Sequence, residues 1–263
     1  MKSTREEVRA LDQLVRGTKD DILGLQEAGK RVHIIWDFDF VLSTGLSDDV
    51  AALTGRDLKK YFDYEERLCF NPPLANAWFR IAREVGHLHA SQDIVTARSS
   101  YLAFRVMLFC LWRSRDPGFM RWILPIGHQP KGESFKIILN NLKDDPHMHV
   151  FFVDDAKKHV DLFAEVANGI GMGNRTRSIL APRVRDYTDE ELKEHYDAVI
   201  GAKGDGFVAV PHWKRGEPDF IVAPQGVKQF REAVTKLPFM AYDAAMAQRR
   251  RNDIERMRME VEA

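Results

Sequence analysis

The stretch His33-Ile-Ile-Trp-Asp37-Phe-Asp39-Phe-Val41 joins a short apolar run to two acidic residues, and Val150-Phe-Phe-Val-Asp154-Asp155 ends in the same way. A buried strand that ends in paired carboxylates brings negative charge to one edge of a sheet. Acids in that position repel one another and lose hydration, so four of them need a cation. Oxygen ligands at this density favour Mg²⁺ over zinc or a soft metal. The two stretches therefore predict both a sheet and a magnesium site at its edge.

Two further polar positions lie between the acidic pairs. Asp93-Ile-Val-Thr96-Ala-Arg98-Ser99 is an apolar run that ends in a hydroxyl, and Pro130-Lys131-Gly132-Glu133 places a lysine at the start of a predicted helix. Each motif alone is common and is more often a turn, a cap or a solvated side chain. The order carboxylate pair, hydroxyl, lysine, carboxylate pair is much rarer, and it suits the handling of a phosphoryl group.

The fold class follows from the alternation of predicted strands and helices. The spacing of apolar residues predicts strands at 31–37, 89–96, 122–126 and 150–153, separated by helices at 47–55, 57–62, 74–85, 101–112 and 131–142. Such alternation predicts an α/β fold, a Rossmann-like parallel sheet with helices on both faces. Ligands bind such sheets outside the carboxyl ends of the strands. All four motifs fall there.

The chain divides into three predicted regions. Residues 1–30 form an N-terminal helical segment of one helix, or of two helices divided at Gly17-Thr18. Residues 31–236 form the core, and residues 237–263 form a charged helix. A small helical cap is inserted at about 44–91. Beyond Gly173 the pattern weakens to a helix at 189–198, short strands at 206–211 and 219–224, and a helix at 225–237. The basic triplet in the last helix favours a solvated face or an oligomer contact over nucleic acid.

Composition excludes several classes of protein. Lys+Arg and Asp+Glu both number 39 in 263 residues, so no net field favours nucleic acid or an anionic membrane. Cys69 and Cys110 lack CxxC spacing, which indicates reduced cysteines. No apolar stretch approaches the roughly 20 residues of a membrane span, and no apolar region follows the charged N-terminus. A soluble, cytoplasmic protein is expected, and a homo-oligomer is compatible with the sequence.

The first acidic pair is suited to covalent catalysis. A carboxylate at Asp37 can attack phosphorus and hold an aspartyl-phosphate, which divides one hard displacement into two easier ones. Asp39 projects from the loop after the strand. There it can protonate the leaving alkoxide and later activate water. We therefore predict Asp37 as the nucleophile and Asp39 as the general acid and base.

The remaining motifs are suited to binding the phosphoryl group and its metal. Thr96 offers a hydroxyl to the phosphoryl oxygens. Lys131 offers a charge, and the first turn of its helix adds backbone N–H donors. Asp154 and Asp155 complete the Mg²⁺ site with the first acidic pair.

These residues resemble the four motifs of the haloacid dehalogenase (HAD) superfamily of phosphohydrolases: Asp37-x-Asp39-x-Val41, the strand into Thr96, Lys131 and Asp154-Asp155. The resemblance covers roughly residues 31–172. It implies an HAD-like core, Mg²⁺, an aspartyl-phosphate intermediate, and a cap between the first two motifs. It also implies that Asp155 is the side-chain ligand, and that Asp39 binds the metal through its backbone carbonyl.

Within this superfamily the chain is most similar to cytosolic 5'-nucleotidases of type I. The shared features are Val95–Ser99, Pro130–Gly132, and a histidine four residues after the second acid, here His159. The similarity implies a nucleoside 5'-monophosphate as substrate. Phe40 departs from the pattern, because it stands where the superfamily usually has a small residue.

Residues for substrate binding are predicted mainly around and within the insertion. Phe62 and Tyr64 could stack on a base, or they could simply pack the insertion. Phe40 could narrow the pocket or form its wall. Arg98 could bind a phosphate or a ribose, or it could pair with a nearby acid. His159 could orient a metal-bound water, or it could lie on a helix surface.

The leading hypothesis is a Mg²⁺-dependent phosphomonoesterase acting on a small-molecule phosphate ester, namely a nucleoside 5'-monophosphate. One alternative keeps the chemistry but changes the substrate to a sugar phosphate, a phosphoprotein or a nucleic-acid end. The other is a catalytically silent binding protein with the same fold, against which the complete set of motifs argues.

Overall fold

The computed structural model describes residues 2–44, 46–57, 59–60, 64, 68–69, 76–86, 90–98, 106, 120–126, 130–185, 187–201, 208–211 and 218–222. Its helices are α1 Arg5–Glu27, α2 Leu46–Leu53, α3 Ala77–Gly86, α4 Lys131–Asn140, α5 Lys157–Gly169 and α6 Asp189–Gly201. Its strands are β1 Arg31–Trp36, β2 Leu68–Cys69, β3 Ser91–Thr96, β4 Trp122–Pro125, β5 Met148–Asp154, β6 Thr176–Leu180, β7 Val208–Pro211 and β8 Pro218–Val222. Phe62, the predicted helices at 225–237 and 237–263, and all of the helix at 101–112 except Val106 lie outside the described residues.

The core is a parallel sheet of five strands in the order β4-β3-β1-β5-β6. The predicted Rossmann-like α/β fold is thereby confirmed. The sequence did not indicate the edge strand β6, because its residues Thr176–Leu180 are mostly polar and only Ile179 is buried. Short polar edge strands lack the apolar run that identifies a central strand.

Both faces of the sheet carry helices, as predicted. Alternate residues of β1 divide between two cores: Val32, Ile34 and Trp36 pack with α1 and α3, whereas Ile35 packs with α4 and α5. The second core contains an aromatic cluster of Phe135, Phe152 and Phe163, with ring centroids 4.7 to 5.3 Å apart. Because side chains alternate along a strand, one apolar run supplies both cores.

Of the one or two helices predicted for the N-terminal segment, the structure shows one, because α1 runs through Gly17 without a break. It begins with a capping box between Thr4 and Glu7 and keeps one face buried through Val15, Thr18 and Ile22. A glycine inside a helix costs about 1 kcal/mol relative to alanine, and the continuous packing against the sheet outweighs that cost. Within the described residues, no helix is long and apolar enough to cross a membrane.

The insertion assembles with the chain that follows the core sheet. Strand β2 pairs antiparallel with β8, which also pairs with β7, and these three strands form a second sheet. Helix α2 packs against α6 around a buried cluster that includes Val50, Tyr64 and Leu192. The described part of the predicted helical cap therefore contains the strand β2 as well as the helices α2 and α3. The strand's partner is about 150 residues away, so no local pattern indicated it.

A buried polar network lies between β1 and β3. Nδ1 of His33 is 2.7 Å from Oγ of Ser91, and Arg121 donates two hydrogen bonds to Asp93, of 2.6 and 3.0 Å. Nε2 of His33 lies 3.1 Å from Oδ2 of Asp93, but this contact falls short of hydrogen-bond geometry. Burial lowers the pKa of His33 below its usual value despite the neighbouring Asp93. The folded protein therefore favours the neutral imidazole.

We expect this histidine to make stability depend on pH. Because the folded-state pKa of His33 is depressed, the unfolded chain takes up a proton first as pH falls. Stability should then be fully present above about pH 6.5 and decline below it, by up to about 1.4 kcal/mol per pH unit. Urea unfolding of wild type and His33→Gln between pH 5 and 8 measures the effect. The variant should be less stable but should have a flatter pH dependence. His147→Gln, at an exposed histidine, is the control and should keep the wild-type slope. Equal slopes in wild type and His33→Gln would contradict the assignment.

Candidate active site

Four predicted side chains meet at the carboxyl edge of the core sheet. Asp37 follows β1, Thr96 ends β3, Asp154 ends β5, and Lys131 begins α4. The backbone N–H of Asp37 still bonds to the carbonyl of Val153 on β5, at 2.9 Å, so the ladder holds the two acidic strand ends side by side. Parallel strands end at the same edge, which is why residues more than 90 positions apart converge here.

Lys131 joins the two acidic motifs. Its Nζ donates to Oδ1 of Asp37 and to Oδ2 of Asp154, both at 2.6 Å, and the side chain is 2% exposed. Burial alone would lower the pKa of Lys131, but the charges of Asp37 and Asp154 raise it above its usual value. The lysine is therefore a buried cation that both carboxylates share.

One buried cation does not neutralise the site. Within the described residues, carboxylate oxygens of Asp37, Asp154 and Asp155 lie within 4.8 Å of one another. The pKa of Asp37 is raised well above its usual value by burial and by repulsion from Asp154 and Asp155, against the opposing effect of Lys131. A divalent cation would relieve this repulsion, and three hard oxygen donors suit Mg²⁺. The residues present therefore fit the predicted metal.

The two adjacent acids have different surroundings. Asp154 is fully buried. Its oxygens accept hydrogen bonds from Lys131 and, at 2.8 Å, from the N–H of Ala156. They also lie 3.1 and 3.2 Å from Nδ1 of His159. Burial opposes ionisation of Asp154, but the contacts with His159, Lys131 and Ala156 together hold its pKa below the usual value. His159 thus orients the carboxylate of Asp154.

Asp155 instead pairs with Arg183. Burial raises its pKa, and the charge of Arg183 opposes that shift. Arg183 is 53% exposed, so this contact lies at the border between the buried site and solvent. Of the two acids, Asp155 has the partner that a metal ion can displace more easily.

We expect Asp155→Asn to weaken Mg²⁺ binding more than Asp154→Asn, because the contacts of Asp154 already occupy both of its oxygens. Calorimetric titration of Mg²⁺ into each folded variant measures the difference. Asp161→Asn, which removes an exposed carboxylate on α5, is the control for a change of one charge. A larger loss for Asp154→Asn would reverse the assignment of the ligand.

Asp39 is held by Arg98. Nε and Nη2 of Arg98 donate to the two carboxylate oxygens at 2.9 and 2.8 Å, and the guanidinium lies over the ring of Phe38 at 5.2 Å. Of the two interpretations predicted for Arg98, the structure shows the ion pair with an acid. The carboxylate of Asp39 is outside the group of three acids, so its backbone carbonyl remains the ligand expected from the resemblance. To act as a general acid, Asp39 must first give up a contact with Arg98.

Thr96 is buried beside this pair. Its Oγ1 accepts from the backbone N–H of Arg98 at 3.2 Å, so the hydroxyl proton points elsewhere. This arrangement suits the predicted donation to a phosphoryl oxygen.

Phe40 has a backbone conformation that is unusual for an aromatic residue. Its φ is +62° within the wide helical turn Phe38–Leu42, where L-residues are strained. The side chain of Asn76 donates to the carbonyl of Phe40 at 2.7 Å and fixes this turn. Phe40 is 2% exposed, and the guanidinium of Arg183 lies over its ring, 4.4 Å from the ring centroid. The ring of Phe40 is therefore already enclosed by protein, and Arg183 is one of the groups that cover it.

Tyr64 lies inside the insertion. It is fully buried, and its hydroxyl is 2.9 Å from Nε2 of His195 on α6. This placement corrects the expectation that Tyr64 stacks on a substrate base, since the ring is already enclosed by protein. Of the alternatives predicted, the structure shows packing of the insertion.

Sequence reasoning missed Arg183 and Asn76. Arg183 follows β6, the strand without an apolar run, and Asn76 contacts a carbonyl 36 residues away. Recognition of β6 would have placed Arg183 at the edge of the sheet where the acids lie.

No family model and no curated protein matches this chain. A search of solved structures finds the HAD domain of the effector protein Lem4 from Legionella pneumophila. The two share 10% identity, with 65% of this chain and 95% of that chain covered and a TM-score of 0.38.

Proposed function

We propose that this chain is a Mg²⁺-dependent phosphomonoesterase of the HAD type, working through an aspartyl-phosphate on Asp37. The observation that supports it most is the position of Lys131, which bonds both Asp37 and Asp154 beside Asp155. A nucleophile, a shared cation and a cluster of oxygen ligands at one sheet edge are the parts that phosphoryl transfer needs.

The chain's own residues divide the chemistry into two steps. An oxygen of Asp37 attacks phosphorus, the bond from phosphorus to the leaving oxygen breaks, and Asp39 supplies the proton that the leaving alkoxide takes up. A water molecule then attacks the phosphorus of the aspartyl-phosphate and gives a proton to Asp39. The bond from phosphorus to the Asp37 oxygen breaks, which releases inorganic phosphate and restores the carboxylate of Asp37. Thr96 and Lys131 bind phosphoryl oxygens throughout.

Asp37, Asp155 and the carbonyl of Asp39 would hold the metal, with Asp154 beside them. When bound, Mg²⁺ supplies positive charge that allows the anionic phosphoryl group and the carboxylate nucleophile to approach. The raised pKa of Asp37 without such a charge is consistent with this requirement.

For the substrate we propose a nucleoside 5'-monophosphate, which the resemblance to type I 5'-nucleotidases supports. Sugar phosphates, phosphoproteins and phosphorylated nucleic-acid ends are the alternatives for the same chemistry. The presence of every acid in the site argues against a silent binding protein. The cytoplasmic location remains a prediction from composition, and an oligomer contact remains one interpretation of the basic triplet in the last predicted helix.

A panel of these esters, assayed for phosphate release in Mg²⁺ and in chelator, tests the proposal. We expect release that requires Mg²⁺, with the highest kcat/KM for nucleoside 5'-monophosphates. A clear preference for another ester would support the proposed phosphatase activity and contradict the proposed nucleotide substrate. No release from any ester by folded, Mg²⁺-loaded protein would favour the silent binding protein.

A further inference from the structure

Arg183 stands at the opening of the candidate active site. It follows β6, which pairs with β5 so that Leu180 lies opposite Asp154, and the N–H of Ala181 bonds to the carbonyl of Asp154 at 2.9 Å. The register therefore carries the chain past the acidic pair just before Arg183. Its position is a consequence of the sheet, which places it at the edge that holds the nucleophile.

The exposure of Arg183 distinguishes it from the other cations of the site. Three lysine and arginine side chains pair with Asp37, Asp39, Asp154 and Asp155 in the part of the chain that the structure describes. Those of Lys131 and Arg98 are 2% and 4% exposed, whereas that of Arg183 is 53% exposed. Arg183 is thus the cation that meets solvent.

The guanidinium of Arg183 is in contact with the ring of Phe40. The hydrogen bond from Asn76 fixes the backbone of the strained turn at Phe40, and the guanidinium of Arg183 lies over the Phe40 ring, 4.4 Å from its centroid. Stacking on an aromatic face orients the planar fork of an arginine without using its N–H donors. Non-glycine residues in this conformation persist where the surrounding structure requires them, often at functional sites.

We propose that Arg183, which lies over Phe40 and pairs with Asp155 at the opening of the site, binds a second anionic group on the leaving group and so favours phosphate esters that carry one over matched esters that do not. This inference rests on the phosphomonoesterase chemistry of the proposed function and not on its nucleotide substrate, because the nucleoside released from a 5'-monophosphate carries no anionic group. A phosphoryl group seated at Asp37 directs its leaving group toward the opening, where the guanidinium binds a carboxylate or a further phosphate. Asp155 would be a ligand of the metal, and a carboxylate held in that way would accept fewer hydrogen bonds from Arg183, whose fork would then donate to the substrate instead.

The chemistry recognised is an oxyanion with two or more oxygens. Arginine forms paired hydrogen bonds with both carboxylates and phosphates, so both sources fit. Two matched pairs of esters distinguish them: phosphoglycolate against phosphoglycolamide, and ethylene glycol bisphosphate against hydroxyethyl phosphate. In each pair the second group differs in charge or is absent, while the phosphoryl group to be transferred is the same.

Binding to the Asp37→Asn protein in Mg²⁺ tests the inference without turnover. We expect the anionic member of at least one pair to bind roughly 10- to 100-fold more tightly, as for hydrogen bonds to charged groups. Adding Arg183→Ala should reduce this ratio to about 1, and Arg183→Lys should leave an intermediate ratio. Arg177→Ala is the matched control, because Arg177 is also 53% exposed and pairs with Asp21 at the opposite end of β6. It should keep the full ratio.

Turnover provides the second measurement. In the otherwise wild-type enzyme, the ratio of kcat/KM within a pair should exceed 10 and should fall to about 1 in Arg183→Ala, whatever happens to the absolute rates. Equal binding and equal kcat/KM within both pairs, or a ratio that Arg183→Ala leaves intact, would overturn the inference. Such results would not contradict the proposed phosphatase activity if both esters are hydrolysed in Mg²⁺. Absence of hydrolysis for every ester counts against the proposed function instead.

Discussion

Asp37→Asn is expected to lower kcat by roughly 10⁴-fold or more, because an amide cannot attack phosphorus and no aspartyl-phosphate forms. The fold should be retained. Burial and repulsion from Asp154 and Asp155 raise the pKa of Asp37, so the neutral amide removes an unfavourable charge, and Lys131 keeps its contact with Asp154. Steady-state phosphate release and the free energy of unfolding, measured in the same buffer, check both statements.

The intermediate itself can also be measured. Wild-type protein quenched during turnover of a labelled ester should carry a hydroxylamine-sensitive acyl phosphate, and the Asp37→Asn protein should carry none. Asp161→Asn, at an exposed carboxylate, should behave as wild type in both assays. Near wild-type release by a folded Asp37→Asn protein would show that the nucleophile lies elsewhere.

Lys131→Met is expected to lower the free energy of unfolding by about 3–5 kcal/mol in the presence of chelator. The substitution leaves Asp37 and Asp154 buried without the cation that they share, and the lysine is too buried for solvent to compensate. Mg²⁺ should restore part of the loss, since it neutralises the same carboxylates. Urea unfolding of wild type and variant, each in chelator and in Mg²⁺, measures both effects.

The control is Lys157→Met, which removes a lysine that is 74% exposed and should change stability by less than about 0.5 kcal/mol. If Lys131→Met fails to fold in chelator, Lys131→Arg keeps the charge and should recover a folded protein. A loss of stability that is the same with and without Mg²⁺ would show that the lysine and the metal do not serve the same charges.

The sequence alone determined four of the five strands of the core sheet and the ends of its central strands. The apolar runs before Asp37, Thr96 and Asp154 are long enough to identify buried strands, and the helices between them require parallel pairing. Once the strands are parallel, their carboxyl ends share one edge, so the convergence of the acids, Thr96 and Lys131 follows from local pattern and topology. These are the parts of the site that the structure places as expected.

Only the tertiary structure decided which partner each charged or aromatic side chain has. Asp39 pairs with Arg98 across 59 residues, Asp155 with Arg183 across 28, and Tyr64 meets His195 across 131. A periodic pattern reports whether a residue is buried and on which face, but not which distant residue shares its space. The sequence therefore could not decide between the alternatives for Arg98 and Tyr64. It did not identify Arg183 as a site residue, because the polar edge strand that positions Arg183 has no apolar run.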